Sequence, residues 1–130
     1  MSIKDYKPLK VWQKGIEIVA KVYALTDKFP REEFYGLTAQ MRKAGVSISA
    51  NIGEGFVRGS PREYRRFLSI SLGSCAELDT RSIIANRRRY ITDEELRDLA
   101  EDLDHEARML TNLINKIDAT ASDERRVTSD

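Results

Sequence analysis

The sequence predicts an all-α protein, an antiparallel up-and-down bundle of four helices. Apolar residues recur at spacings of three and four in four separate segments, and the stretches between them are short and rich in proline, glycine or polar residues. No segment alternates polar and apolar residues as a strand would. The 130 residues are 41% hydrophobic and 33% charged, which suits one domain that buries a core of its own.

The first two helices are predicted from their apolar spacing. The first follows Pro8 and ends near Phe29-Pro30, and its apolar face is predicted to be Leu9, Trp12, Ile16, Val19 and Tyr23. After the polar turn PREEFYG, the second helix continues to about Glu54 through Leu37, Met41, Ala44, Ile48 and Ile52. Gly55 is then predicted to cap this helix in the left-handed conformation, which glycine adopts without a Cβ penalty.

The third helix is predicted to begin with a capping box in SPRE and to run from Pro61 to about Tyr90. The Ser60 hydroxyl can accept a hydrogen bond from the Glu63 amide, and the Glu63 side chain can reach back. The predicted core face is Tyr64, Phe67, Leu68, Ser71, Cys75, Leu78 and Ser82. Gly73 lies among small residues that let a neighbouring helix approach closely, which would offset its low helix propensity. Cys75 is interpreted as a packed thiol.

The fourth helix is predicted to begin with a second capping box, formed by Thr92 and Glu95. Its apolar seam is Leu96, Leu99, Leu103, Leu110, Leu113 and Ile117. Glu106 interrupts the seam, and Ala107 beside it can fill the gap. Residues after Ala119 show no apolar period, so we expect a single domain over residues 1–119 and a disordered tail over residues 120–130.

Several functional classes are disfavoured by composition. The N-terminal segment carries charges where a signal peptide needs an apolar run, and no stretch is long enough to span a bilayer, so we expect a cytoplasmic protein without a membrane partner. One cysteine and one histidine predict neither a disulfide nor a metal or other cofactor. Asn51 and Glu54 lack a nearby base or nucleophile, so no catalytic residue is assigned and the protein is expected not to be an enzyme. Asn51 and Glu54 are instead expected to tie the end of the second helix to its neighbours by hydrogen bonds.

Basic residues concentrate in the middle of the chain, although the net charge is only +1. Residues 42–90 contain 10 Lys and Arg against 4 Asp and Glu, whereas residues 91–130 contain 5 against 12. Two groups of basic residues are candidates for phosphate contacts. The first is predicted to cluster around the corner between the second and third helices: Arg42, Lys43, Arg58, Arg62, Arg65 and Arg66. The second lies at the end of the third helix: Arg87, Arg88 and Arg89.

Each group also has a purely structural explanation. Arg62 and Arg66 are four residues apart, so they share one side of the helix opposite its apolar face, as any exposed pair would. Positive charge at Arg87 to Arg89 is favoured by the dipole at the end of a helix. The residues alone leave both alternatives open, a nucleic-acid surface and a solvated polar face.

Three segments resemble the family of 23S rRNA intervening-sequence proteins, also called the S23 family: YKPLKVWQKGIEIV, FYGLTAQMRKAGVSISANIGEGF and REYRRFLSISLGSCAELDT. The resemblance covers about residues 6–118, and its most specific element is Asn51, Glu54 and Gly55. The chain departs from the family pattern at Ser49, where proline is usual, and at Gly53, where alanine is usual. NRRRYI also replaces a mostly neutral run that ends in Gly-Tyr.

The resemblance implies a four-helix bundle that assembles into homopentameric rings. It implies no enzymatic activity, because the members of the family share none. A related accessory protein of diversity-generating retroelements is basic and associates with nucleic acid. Together, these points predict a non-catalytic oligomeric bundle that binds RNA or DNA through its basic surface. The alternative is a scaffold that binds another protein and makes no direct contact with nucleic acid.

Overall fold

Four helices packed side by side form the structure, a computed structural model that describes residues 5–128 and the side-chain surroundings of residues 5–122. The helices are α1 (Lys10–Thr26), α2 (Ala39–Val57), α3 (Pro61–Arg87) and α4 (Asp93–Thr128). A 3-10 turn at Arg31–Glu33 and the segment Phe34–Thr38, whose backbone is kinked at Gly36, join α1 to α2. Residues 5–128 contain no strand, and the predicted all-α four-helix bundle is confirmed. No helix within this range is long and apolar enough to cross a membrane.

Each helix packs against its neighbour in sequence, and α4 also packs against α1, so the four helices close into a bundle. Short connections make successive helices antiparallel, as predicted. At one end, α2 turns into α3. At the opposite end, the α1–α2 and α3–α4 connections meet, with the rings of Phe29 and Tyr90 5.2 Å apart. The Tyr90 hydroxyl donates a hydrogen bond of 3.0 Å to the Glu33 carboxylate at this end.

The core follows the predicted pattern in α2, α3 and α4. Met41, Ile48, Ile52 and Leu78 are fully buried, and Leu99 closes the core from α4. The α1 face is different, because the structure buries a neighbouring stripe: Val11, Gly15, Ile18, Val22 and Leu25.

The prediction for α1 is wrong in part, because this helix carries two adjacent apolar stripes; Leu9 and Trp12 pack against the core as predicted. Ile16 and Tyr23, which the sequence placed in the core, are 42% and 43% exposed. Since α1 contacts both α2 and α4, the arc between these two neighbours becomes the buried face. Periodicity shows that α1 is amphipathic, but the tertiary contacts select the stripe.

The reversal from α2 to α3 depends on a different glycine from the one predicted. Gly55 is a buried residue inside α2, and a Cβ there would lie 2.6 Å from the Phe67 Cβ, so this glycine permits close helix packing. Gly59, with φ of 76°, takes the left-handed conformation. Gly73 also differs from expectation, because no atom of a neighbouring helix lies within 4 Å of the position that its Cβ would take.

Both predicted helix starts have their hydrogen bonds. The Glu63 amide donates to the Ser60 hydroxyl over 3.3 Å, although the Glu63 carboxylate turns to Arg66 rather than back to the Ser60 amide. At α4 the box is reciprocal: the Glu95 amide donates to Thr92 Oγ1 over 3.0 Å, and the Thr92 amide donates to Glu95 over 2.9 Å.

The fourth helix is longer than predicted, since residues 120–128 are helical rather than a disordered tail. No glycine or proline occurs between Asp93 and Thr128, so nothing in the backbone stops the helix at Ala119. Thr120 Oγ1 donates a hydrogen bond of 3.0 Å to the Lys116 carbonyl, and Ala121 lines a groove against the α2–α3 turn. Residues 129–130 of the predicted tail lie outside the described residues.

Glu106 of α4 is a fully buried carboxyl group in the core, although the sequence suggested only a break in the seam. Neither of its carboxyl oxygens has a hydrogen-bond partner. A Cβ at Gly15 would lie 3.1 Å from Glu106 Oε2, so α1 passes directly over the group. Burial raises the pKa of Glu106 to about 8, against a smaller lowering by the Lys14 charge. The group is therefore largely neutral at pH 7.

Ionisation of Glu106 is expected to destabilise the bundle as pH rises. The pKa of 4.5 in the unfolded chain lies below the folded value of about 8, so the unfolded state loses its proton first. The free energy of unfolding should fall by about 1.4 kcal/mol per pH unit between these values. Urea unfolding of the wild type and of Glu106→Gln at pH 5 to 9 measures this pH dependence. The free energy of unfolding of the variant should not show this fall as pH rises. Glu101→Gln, on the exposed side of α4, is the matched control; an unchanged slope in Glu106→Gln would contradict the assignment.

Arg89 ends α3 in a conformation that favours glycine. Its φ is 64°, and the amides of Tyr90 and Arg89 donate to the carbonyls of Ala85 and Asn86, which is a Schellman cap with arginine at the glycine position. We expect Arg89→Gly to raise the free energy of unfolding by about 1 kcal/mol, because the Cβ strain is relieved. Thermal unfolding checks this against Arg88→Gly, whose helical φ of −81° predicts a loss instead. Equal effects of the two substitutions would show that the cap stores no strain.

Candidate nucleic-acid interface

Four arginines surround the turn from α2 to α3, and we call this surface the basic corner: Arg58, Arg62, Arg65 and Arg66. The guanidinium groups of Arg58 and Arg66 lie 5.1 and 4.5 Å from the centre of the Phe67 ring. These two arginines come from opposite sides of the turn, so the antiparallel packing brings their charges onto one surface. Cation–π contact with a shared ring holds both groups in place.

Three of the four arginines also form ion pairs. Arg58 pairs with Glu54 over 2.9 Å, and Arg66 pairs with Glu63 over 2.9 Å. Arg65 Nε donates to Asp118 of α4 over 2.7 Å, and this hydrogen bond raises the pKa of Arg65.

Arg62 is exposed and has no ion-pair partner among the described residues. The ion pairs of the other three arginines are exposed to solvent, so each contributes little to stability and can be exchanged for a stronger anion.

The structure does not bring Arg42 and Lys43 to the basic corner. Arg42 lies near the opposite end of the bundle, about 24 Å from Arg58 along the axis of α2. Its guanidinium donates hydrogen bonds to Thr26 over 2.8 Å and to Asp27 over 2.9 Å. It also lies over the Tyr23 ring, 4.6 Å from the centre. Arg42 therefore joins α1 to α2. The six-residue cluster was wrong because residues more than about four turns apart on one helix cannot share a corner.

Arg87, Arg88 and Arg89 form a separate basic group at the opposite end of the bundle. The 27 residues of α3 place about 40 Å between them and Pro61. All three are exposed, and the Arg88 guanidinium lies 5.8 Å from the centre of the Tyr90 ring. A single nucleic-acid contact over one corner cannot include both groups, so the two sets of predicted residues are two distinct surfaces.

The residues of the family motif have structural surroundings. Asn51 Nδ2 donates to the Ser47 carbonyl and to Ser47 Oγ, both over 2.8 Å, and Ser47 Oγ lies 2.8 Å from Ser74 Oγ on α3. Both hydrogen bonds of Asn51 stay within α2, and it is Ser47 that contacts α3, so Asn51 does not tie the helix end to a neighbour directly. Glu54 also stays within α2, where it pairs with Arg58. Gly55 sets the distance between α2 and α3 instead of capping the helix.

Comparison with known proteins identifies the chain's relatives. The family model for the 23S rRNA-intervening sequence protein matches residues 7–112. The chain belongs to this family. A crystal structure of a protein of unknown function from the S23 ribosomal protein family of Bacteroides thetaiotaomicron is 25% identical, with a TM-score of 0.74. The match covers 80% of this chain and 97% of that one. No match was found among curated proteins. The resemblance read from the sequence is confirmed.

Sequence reasoning missed two cavities of this S23-family bundle. One, of about 380 Å³, lies beside the basic corner and is lined by Phe56 and Tyr64 among others. The other, of about 620 Å³, lies at the opposite end next to Arg42, where Phe34 and Tyr35 are 54% and 89% exposed. The rings are present in the sequence segments FYG, GFVRG and REYRRF. Periodicity did not show that Phe34 and Tyr35 are exposed or that Phe56 and Tyr64 are only partly buried, because it cannot give the exposure of an aromatic ring.

The single cysteine of this family member is packed, as predicted. Burial, together with the nearby Glu106 carboxyl, raises the pKa of Cys75 to about 12, so the thiol stays protonated at neutral pH. Among residues 5–122, whose side-chain surroundings are described, no group of three His, Cys, Asp or Glu side chains is placed to hold a metal ion. The chemistry available at the basic corner is thus anion binding by guanidinium groups.

Proposed function

We propose that this S23-family protein is a non-catalytic, cytoplasmic oligomer that binds RNA or DNA through the basic corner. The observation that supports this most is the placement of Arg58 and Arg66 over one Phe67 ring. Arg62, which has no ion-pair partner among the described residues, lies beside them at the start of α3. Arginine recognises phosphate with paired, charge-assisted hydrogen bonds, and its planar group presents them in a fixed geometry.

Binding would replace the ion pairs of the corner. Phosphate oxygens would take the place of Glu54, Glu63 and Asp118 as acceptors for three of the arginines. The loss is small because exposed ion pairs contribute little, and the release of counterions from the nucleic acid adds a favourable term. In the pentamer that the family resemblance implies, several such corners would bind one nucleic acid together, so modest sites would add up through avidity.

The charge-reversed variant Arg62→Glu/Arg66→Glu is expected to abolish nucleic-acid binding. Fluorescence anisotropy with a structured RNA and a DNA duplex measures the affinity at 50 and 200 mM salt. If four phosphates are neutralised, the wild-type affinity should fall on the order of 10²-fold between these two salt concentrations.

The matched control is Arg87→Glu/Arg88→Glu, which introduces the same charge change at the opposite end of the bundle. It should retain most of the affinity. Loss of binding in the control alone would move the site to the opposite end. Absence of wild-type binding at 50 mM salt would refute the proposal and favour a protein scaffold.

The alternative, a protein-interaction scaffold, is favoured by apolar side chains on the surface. These side chains lie on three adjacent helices, α1, α2 and α3, and are 40 to 47% exposed: Ile16, Tyr23, Val46, Val57 and Ile70. Exposed apolar side chains on neighbouring helices are candidates for an interaction surface. The same surface is available for contacts between copies of the chain, so it also supports the oligomeric part of the first proposal.

Ile70→Glu is expected to reduce the mass of the assembly, because a charge would be buried between subunits. Sedimentation velocity measures the mass directly. Thr80→Glu places the same charge elsewhere on the exposed surface of α3 and should leave the assembly intact. A wild-type monomer, or an unchanged mass in Ile70→Glu, would show that the surface around Ile70 is not a subunit contact.

A further inference from the structure

The groove beside the basic corner has aromatic walls. It has a volume of about 380 Å³ and lies between the α2–α3 turn and residues 116–121 of α4. Phe56 and Tyr64 meet edge to face, with ring centres 5.8 Å apart and planes at 86°. Ile117 and Ala121 of α4 line the facing wall. Both rings are only partly buried, so they are accessible from the groove.

The rim of the groove is cationic. Lys116 lines it directly, and the turn residues Gly59 to Pro61 form its edge between Arg58 and Arg62. Arg62 and Lys116 have no ion-pair partner among the described residues. An apolar, aromatic-lined cavity with unpaired cations at its rim matches a ligand that has a flat apolar body and a negatively charged backbone.

We propose that this groove binds an unpaired base of single-stranded RNA or DNA, while the flanking phosphates contact the basic corner; the inference rests on the function proposed above. Every base has a π face that stacks on aromatic side chains. A base within a duplex is already paired and stacked, so a duplex would contact only the arginines. The groove therefore adds a preference for single strands to the phosphate contacts of the corner.

Charge complementarity favours a nucleotide over a second copy of the chain. An apolar side chain from another subunit would fill the groove without using Lys116 or Arg62. The extension of α4 past Ala119 forms part of the groove, because Thr120 and Ala121 complete its wall.

Stacking is tested with a short single-stranded oligouridine that carries one 2-aminopurine, a base whose fluorescence is quenched when it stacks. Binding to the full-length wild type should quench it. Phe56→Leu and Tyr64→Leu should each weaken single-strand binding by about 5-fold to 150-fold, the range of one base–aromatic contact. The salt dependence should stay unchanged, because no phosphate contact is removed, whereas Arg62→Ala should lower its slope by about one. Duplex binding should be unaffected by either aromatic variant.

Tyr35→Leu is the matched control, since it removes a surface aromatic ring at the opposite end of the bundle. Circular dichroism checks that each variant folds, and the quenching of the wild type does not depend on any variant. An unquenched 2-aminopurine, with full single-strand affinity in both aromatic variants, would overturn the proposal that the groove binds a base. It would leave the proposed arginine contacts with phosphate in place. Absence of all nucleic-acid binding would overturn both proposals. A changed assembly mass in Phe56→Leu, with unchanged single-strand affinity, would make the groove a contact between copies.

Discussion

The close approach of α2 to both of its neighbours is the constraint on which the rest of the bundle depends. A Cβ at Gly45 would lie 3.1 Å from Val19 of α1, and a Cβ at Gly55 would lie 2.6 Å from Phe67 of α3. The buried Ser71 hydroxyl of α3 donates a hydrogen bond of 2.5 Å to the Ile48 carbonyl of α2. Backbone and small side chains thus meet directly, which leaves little space for larger residues at these positions.

This constraint also shapes the surface at the α2–α3 turn. Because α2 and α3 touch at Gly55, the Phe67 ring lies at the edge of the contact, where arginines from both helices reach it. The same turn directs Phe56 and Tyr64 toward α4 and opens the groove between them and Ile117. A structural requirement, close helix packing, and a candidate binding surface therefore share one set of residues. A substitution at Gly55 would be expected to disturb both.

The buried Glu106 shows that the core is not optimised for stability alone. A neutral buried carboxyl without a hydrogen-bond partner costs free energy that an apolar side chain would not. The strained backbone of Arg89 at the C-terminus of α3 adds a second cost. Ser49 of α2 donates its hydroxyl proton to the Trp12 carbonyl over 3.1 Å, and both Ser49 Oγ and Glu106 Oε2 lie close to Gly15 of α1. This hydrogen bond links α1 to α2 at the centre of the bundle, and the Glu106 carboxyl of α4 lies beside it without a hydrogen-bond partner.

The amino-acid sequence by itself determined the number of helices, their order, their capping boxes and the core faces of α2, α3 and α4. These features depend on local spacing and on residues a few positions apart, such as Ser60 with Glu63 and Thr92 with Glu95, so they can be read along the chain. The tertiary structure alone decided which stripe of α1 is buried, which glycine turns the chain, and that Glu106 lies in the core. It also decided that the predicted arginines form two surfaces rather than one, and that aromatic rings border a groove beside one of them. Each of these features depends on distances between residues far apart in sequence, which only helix packing sets.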